Sequence, residues 1–162
     1  MPSAYPVAVG PVLQRVERML GMVAAEKGVA ISGAVSEDAV ALATDDDVHQ
    51  ILYNLMENAI KYSAPESGFV RVEASVQDGQ VVITVTDNGI GIPDEDLPRI
   101  FDRFYRVDKM RSREVGGTGL GLSIVKDTIE GRGGAISAGH GPDGVGTTFT
   151  VRLPLAQREE EA

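Results

Sequence analysis

The sequence has no cysteine among its 162 residues. That excludes disulfides, thiolate metal sites and cysteine nucleophiles, is compatible with a reducing cytosol, and leaves oxygen ligands for any metal. No apolar run approaches the roughly 18 residues that a membrane span needs. The start, Met-Pro-Ser-Ala-Tyr-Pro, lacks the basic and apolar regions of a signal peptide. The expectation is a soluble, cytoplasmic fragment that makes no membrane contact itself and that can form the soluble end of a longer, membrane-anchored protein. Positive charge is also short. The net charge is −9 and the pI about 4.7, which argues against nucleic acid as a partner. The few cations are unevenly placed: six of the fifteen Lys and Arg are Arg99, Arg103, Arg106, Lys109, Arg111 and Arg113. An anion, if bound, must be held locally.

A length of 162 residues fits one domain. Residues 1–10, with Pro2, Pro6 and Gly10, predict a linker or short edge strand, residues 11–155 the folded domain, and residues 156–162 a solvated tail. From Pro11 to Lys27, Val12, Leu13, Val16, Met19, Leu20 and Val23 follow helical spacing, with Gly28 as terminator. Val29 to Val35 and Val40 to Ala43 predict strands. Asp45 to Asp47 supply capping carboxylates for the strongest helix, whose stripe is Val48, Ile51, Leu52, Leu55, Met56, Ala59 and Ile60. Phe69 to Val76 and Gln80 to Thr86 predict a hairpin turned at Asp78-Gly79. Asp94 to Phe104 is expected to be helical in part, and Leu120 to Glu130 to form an amphipathic helix ending at Gly131. Ala135 to Ala138 and Thr147 to Leu153 predict a last strand pair. The order implies an α/β two-layer sandwich, with a mixed, mostly antiparallel sheet packed against helices on one face.

Three constellations carry chemistry. On the long helix, Gln50, Asn54, Glu57, Asn58 and Lys61 occupy the face opposite the apolar stripe. Amide oxygens there can ligate a hard cation such as Mg2+, and the lysine can face phosphate. After a strand comes Asp87-Asn88-Gly89-Ile90-Gly91-Ile92-Pro93, where a carboxylate can accept from an adenine amine and alternate glycines let a flat ring approach. The third is Gly116-Gly-Thr-Gly-Leu-Gly121 running into Leu122 at a helix start. It is neither a dinucleotide loop nor a Walker loop, because the spacing is G-x-x-G-x-G and no Lys-Ser or Lys-Thr closes it. Glycines before a helix N-terminus nevertheless suit close approach by an anion.

Taken in order, these segments resemble the ATP-binding catalytic domain of bacterial sensor histidine kinases, in the superfamily that includes gyrase, mismatch-repair and heat-shock-chaperone ATPases. Asn54 to Tyr62 looks like the N box, Asp87 to Pro93 the G1 box, Ile100-Phe-Asp-Arg-Phe-Tyr-Arg106 the F box, Gly117-Thr-Gly-Leu-Gly-Leu122 the G2 box, and Gly146-Thr-Thr-Phe149 the final motif. The resemblance implies that Asn58 coordinates Mg2+ on the ATP phosphates, with Asn54 beside it and Lys61 and Tyr62 reaching phosphate or ribose. Asp87 would accept from adenine N6, with Gly89, Gly91, Ile92 and Thr147 around the base. Arg106 to Gly116, including Arg113, would form a mobile ATP lid anchored by Phe101 and Phe104. Gly117, Thr118, Gly119, Leu120, Gly121 and Leu122 would form its phosphate side.

The same resemblance bears on reaction type. The hydrolytic relatives place a glutamate four residues before the metal-binding asparagine, and this chain has Asn54 there. That favours transfer to a positioned acceptor over hydrolysis, with Glu57 as a weaker candidate base. The phosphoacceptor is expected elsewhere, since His49 and His140 lie outside the family's acceptor context and predict surface histidines. The implied function is a protein-histidine kinase catalytic domain of a two-component system. Its partners would be a histidine-bearing dimerisation domain of the same or a partner kinase and, downstream, a response regulator. A serine kinase of the anti-sigma type and a non-catalytic nucleotide-sensing module are the alternatives.

Overall fold

The protein, seen in a computed structural model, is described over residues 2–103, 105 and 121–156. Its first strand, β1 (Tyr5–Ala8), pairs antiparallel with β3 (Val40–Ala43). The N-terminal stretch is thus an edge strand, with Val7 buried. Helix α1 (Val9–Lys27) starts two residues before Pro11. The proline falls in the first turn, where its missing N–H costs nothing. Gly28 ends the helix in the left-handed conformation at φ 77°, its N–H returning to Ala24 and Ala25.

The main sheet has five strands in the order β2-β4-β5-β7-β6. β2 (Val29–Val35) runs parallel to β4 (Gly68–Gln77), while β5 (Gln80–Asp87), β7 (Thr147–Pro154) and β6 (Ala135–His140) add antiparallel. The turn between β4 and β5 is the expected Asp78-Gly79 pair, at φ 51° and 74°, the two positive values that a tight hairpin turn demands. Alternation along the strands sends Val70, Val72, Val81, Ile83, Val85, Phe149, Val151 and Leu153 into the core.

Helix α2 (Asp45–Tyr62) lies over β4 and β5, and α3 (Gly121–Gly131) over β6 and β7. α1 packs against α2 and β2. All seven apolar residues expected on the α2 stripe are buried. Of the three expected capping carboxylates Asp47 serves, in a box with Thr44 as the N-cap. The Thr44 hydroxyl accepts from the Asp47 N–H at 3.1 Å, and the Asp47 carboxylate accepts from the Thr44 N–H at 3.1 Å. This reciprocal box satisfies two of the helix's free donors. Between Asp94 and Arg103 the helical part is a single 3-10 turn, Leu97–Arg99, which contains Pro98. The result is a two-layer α/β sandwich.

Candidate functional site

Helical geometry turns about 100° per residue, so Asn54, Asn58 and Lys61 project within a narrow arc of α2. All three, with Glu57, are half-buried. Gln50 shares that arc, and its amide oxygen accepts a 2.6 Å hydrogen bond from Thr128 on α3. One turn earlier, Asp47 accepts from Arg132, just past the end of α3, again at 2.6 Å. Residue numbers therefore fall along α2 as they rise along α3, and the helices run antiparallel. Seven residues back from Thr128 is Gly121; seven on from Gln50 is Glu57. At 1.5 Å per residue both steps span about 10 Å, which sets the N-terminus of α3 beside the Asn58 turn. The amide face of α2 and the start of α3 at Gly121 are thus adjacent.

The carboxamides of Asn54 and Asn58 make no side-chain hydrogen bond among the described residues. They are available to a ligand. Glu57 is engaged: it takes a hydrogen bond from Tyr53, whose phenol is pushed up by burial and then by Glu57, and it sits 3.9 Å from Lys61. This occupation weakens the case for Glu57 as a free base. Among the described residues no three His, Asp or Glu side chains converge. Asn58 fits a cation that takes one amide oxygen from the protein and its remaining oxygens from phosphate and water.

The other end of the site is Asp87, at the last position of β5 and only 3% exposed. Its carboxylate accepts the Gly89 N–H at 2.8 Å and also the Thr147 N–H from β7. Burial pushes its carboxyl above the usual range, and those two N–H groups and the charge of Lys27 oppose the rise. Thr147 is Asp87's register partner on β7 and is itself buried.

The loop after Asp87 is hung on the end of α2, the Ile90 N–H donating to the Tyr62 carbonyl at 3.2 Å. Asn88 fastens its outer side, accepting from the Phe69 N–H and donating to the Ser67 carbonyl, both at 3.0 Å. Gly91 adopts φ 74°, and Ile92 packs on the core. Tyr62 thus contributes its carbonyl to the site's frame. Sequence reading missed Lys27 and Ser63 here and gave no role to Gly146. Only the Gly146-Thr-Thr-Phe149 motif pointed toward the last, whose added Cβ would lie 1.9 Å from the Asp87 carbonyl oxygen.

Phe101 meets Phe149 edge-on at 6.2 Å and lies under the Lys126 ammonium at 5.9 Å. Leu122 packs against the core, and Gly121 is exposed at the head of α3. Of the basic cluster, Arg99 covers the Tyr105 ring at 5.0 Å and Arg103 approaches Asp127 at 3.9 Å. Phe104, Arg106, Arg113, Gly117, Thr118, Gly119 and Leu120, and with them the expected lid from Arg106 to Gly116, lie outside the described residues. Neither histidine stands free: His49 accepts from Arg15 at 3.3 Å and stacks on Tyr53, and His140 meets Asp94 at 2.5 Å.

The chain is similar to known proteins along most of its length. Residues 43–157 match the family described as histidine kinase-, DNA gyrase B-, and HSP90-like ATPase. The sensor histidine kinase WalK of Bacillus subtilis is 47% identical over 118 residues, covering 72% of this chain and 19% of WalK. The sensor-like histidine kinase SenX3 of Mycolicibacterium smegmatis is 48% identical over 62% of this chain and 26% of its own. The chain thus spans about a fifth to a quarter of the length of these relatives. Among solved structures, the mycobacterial sensor histidine kinase MprB superposes with a TM-score of 0.82 at 27% identity, over 93% of this chain and 97% of that one. Full-length ShkA in complex with AMPPNP gives 0.82 at 35% identity, over 98% of this chain and 32% of that one.

Proposed function

Because the chain belongs to the histidine kinase-, DNA gyrase B- and HSP90-like ATPase family, we propose that it binds Mg2+-ATP between α2, the Asp87–Gly91 loop and the head of α3. In this reading it transfers the γ-phosphoryl group to a histidine of a separate dimerisation domain, from which a response regulator takes it. The observation that carries this is the axis of the site. A buried carboxylate stands at one end. A turn of α2 away are an unpartnered carboxamide, an ammonium and a helix N-terminus. A purine amine needs an acceptor, and a triphosphate needs donors and positive charge.

Each residue then has a task. Asp87 accepts from adenine N6, with Thr147 beside the base. Asn58 would hold Mg2+, which neutralises charge on the phosphates; Asn54 and Lys61 hold their oxygens. Asn54 is an amide and cannot take a proton from water, and Glu57 is paired with Tyr53 and Lys61. Water attack is therefore poorly assisted, and the γ-phosphoryl group is kept for an acceptor brought to it. The complex of full-length ShkA with AMPPNP supports nucleotide binding by this chain.

The deciding experiment mixes the chain with a cognate histidine-bearing helical hairpin and γ-labelled ATP. Expected is label on the hairpin that is lost in acid and stable in base. No transfer despite nucleotide binding would leave a nucleotide-sensing module, and acid-stable label would indicate a serine acceptor.

A further inference from the structure

α2 ends without a glycine: its C-cap is Ser63 at φ −70°, ψ 163°, so the usual left-handed return of the chain onto the last carbonyls is absent. Those carbonyls are satisfied from elsewhere. Ile60 accepts from Ser63 Oγ at 2.9 Å and from Lys27 Nζ at 2.7 Å, Lys61 accepts from the same Lys27 Nζ, and Tyr62 accepts from Ile90. Lys27 is the last residue of α1, and its own carbonyl takes the Glu66 N–H at 3.0 Å. One side chain therefore ties the end of α1 to the helix end that carries the loop after Asp87. A cation there also meets the negative end of the α2 dipole.

We infer that Lys27 is a positioning residue of the nucleotide site: by capping the last carbonyls of α2, its ammonium fixes the helix end from which the Asp87–Gly91 loop is suspended. The inference rests on the nucleotide-binding reading of that site. Lys27 lies outside every motif by which the site was recognised, 33 residues from Ile60.

Electrostatics supply independent support. Burial pushes the Lys27 ammonium down and Asp87 opposes this; burial pushes Asp87 up and Lys27 opposes that. The groups facing Asp87 are the Gly89 N–H from its own loop, the Thr147 N–H from β7, and Lys27 from α1. Lys61 on α2 is paired with Glu57, and His140 on β6 with Asp94. Among the described residues Lys27 is thus the cation that favours the ionised form of Asp87.

The test compares the parent chain with Lys27→Met, Lys27→Gln and Lys27→Arg, measuring melting, ATP and adenosine affinity, and the pH dependence of adenosine affinity. Expected for Lys27→Met is about tenfold weaker binding of both ligands, the loss of a charge-assisted hydrogen bond at a half-buried site. The acidic limb of the binding curve should move to higher pH, and Lys27→Arg should restore most of both. If Lys27→Met does not fold, Lys27→Gln, which keeps a donor without the charge, is read for the same limb. Parental affinity and an unmoved limb in folded variants, or a loss of melting temperature alone, would overturn the positioning role while leaving nucleotide binding intact. A parent chain that binds neither ATP nor adenosine overturns both.

Discussion

The carbonyl oxygen of Tyr62 occupies the place where a side chain on Gly89 would begin: an ideal Cβ there would lie 1.6 Å from it. The glycine thus serves the protein's own backbone before any ligand arrives. Gly89→Ala should force the Asp87–Gly91 loop off α2, costing about 1–3 kcal/mol or more, as overpacking does. A urea titration would show it as a lower midpoint, with nucleotide affinity falling alongside. Unchanged stability would mean that the loop accommodates a methyl group freely.

Gly121 offers the contrast, since among the described residues nothing lies within 4 Å of its added Cβ. Gly121→Ala should leave the melting temperature unchanged or raise stability by up to about 1 kcal/mol, as alanine favours helix. A β-carbon at the head of α3 should still hinder phosphate, so weaker ATP binding with adenosine binding unaffected is the expected calorimetric result.

Asp87 couples binding and stability with opposite signs. Its folded pKa lies above the unfolded value, so the folded state holds the proton more tightly. The stabilising contribution is present below the unfolded pKa and is lost as pH rises through the folded one. At neutral pH the carboxylate is a cost to folding. Asp87→Asn should therefore melt at or above the parent temperature at pH 7, the difference vanishing in acid, while ATP affinity falls by about 1–3 kcal/mol because the acceptor is changed. Differential scanning calorimetry with titration at two pH values checks both signs.

Asn58→Ala should abolish the Mg2+ dependence of ATP affinity and leave adenosine affinity at the parental value. It removes the amide oxygen offered to the cation but nothing near Asp87. Comparing ATP binding with and without Mg2+ in both proteins reads this directly.

The Arg132–Asp47 pair is a structural joint. Its side chains are 6% and 17% exposed, and Arg132 also donates to the Pro2 carbonyl at 2.7 Å. Arg132→Ala leaves a half-buried carboxylate without its cation and should cost about 1–3 kcal/mol in chemical denaturation. It should not change nucleotide affinity once the protein is folded.

Much of the fold was legible because its signals are local. The α2 stripe, the Asp78-Gly79 hairpin and the Gly28 stop each depend on neighbours a few residues away, so period and turn chemistry suffice. Where local signals compete, they resolved only in part: of the three aspartates Asp47 alone joins the capping box, and Thr44, whose hydroxyl reaches the Asp47 N–H, is the N-cap. The start of α1 was missed because a proline in a first turn marks only the neighbourhood of a helix start.

The sequence by itself determined the element order, the shared face of Asn54, Asn58 and Lys61, and the family resemblance, since all follow from spacing along one chain segment. Only the tertiary structure decided what those segments face. Packing of the common core runs α3 antiparallel to α2, sets Thr147 against Asp87, hangs Ile90 on Tyr62, and brings Lys27 beneath the end of α2. Such contacts join residues tens of positions apart. Their partners are chosen by how apolar faces close on one another, which no local period encodes.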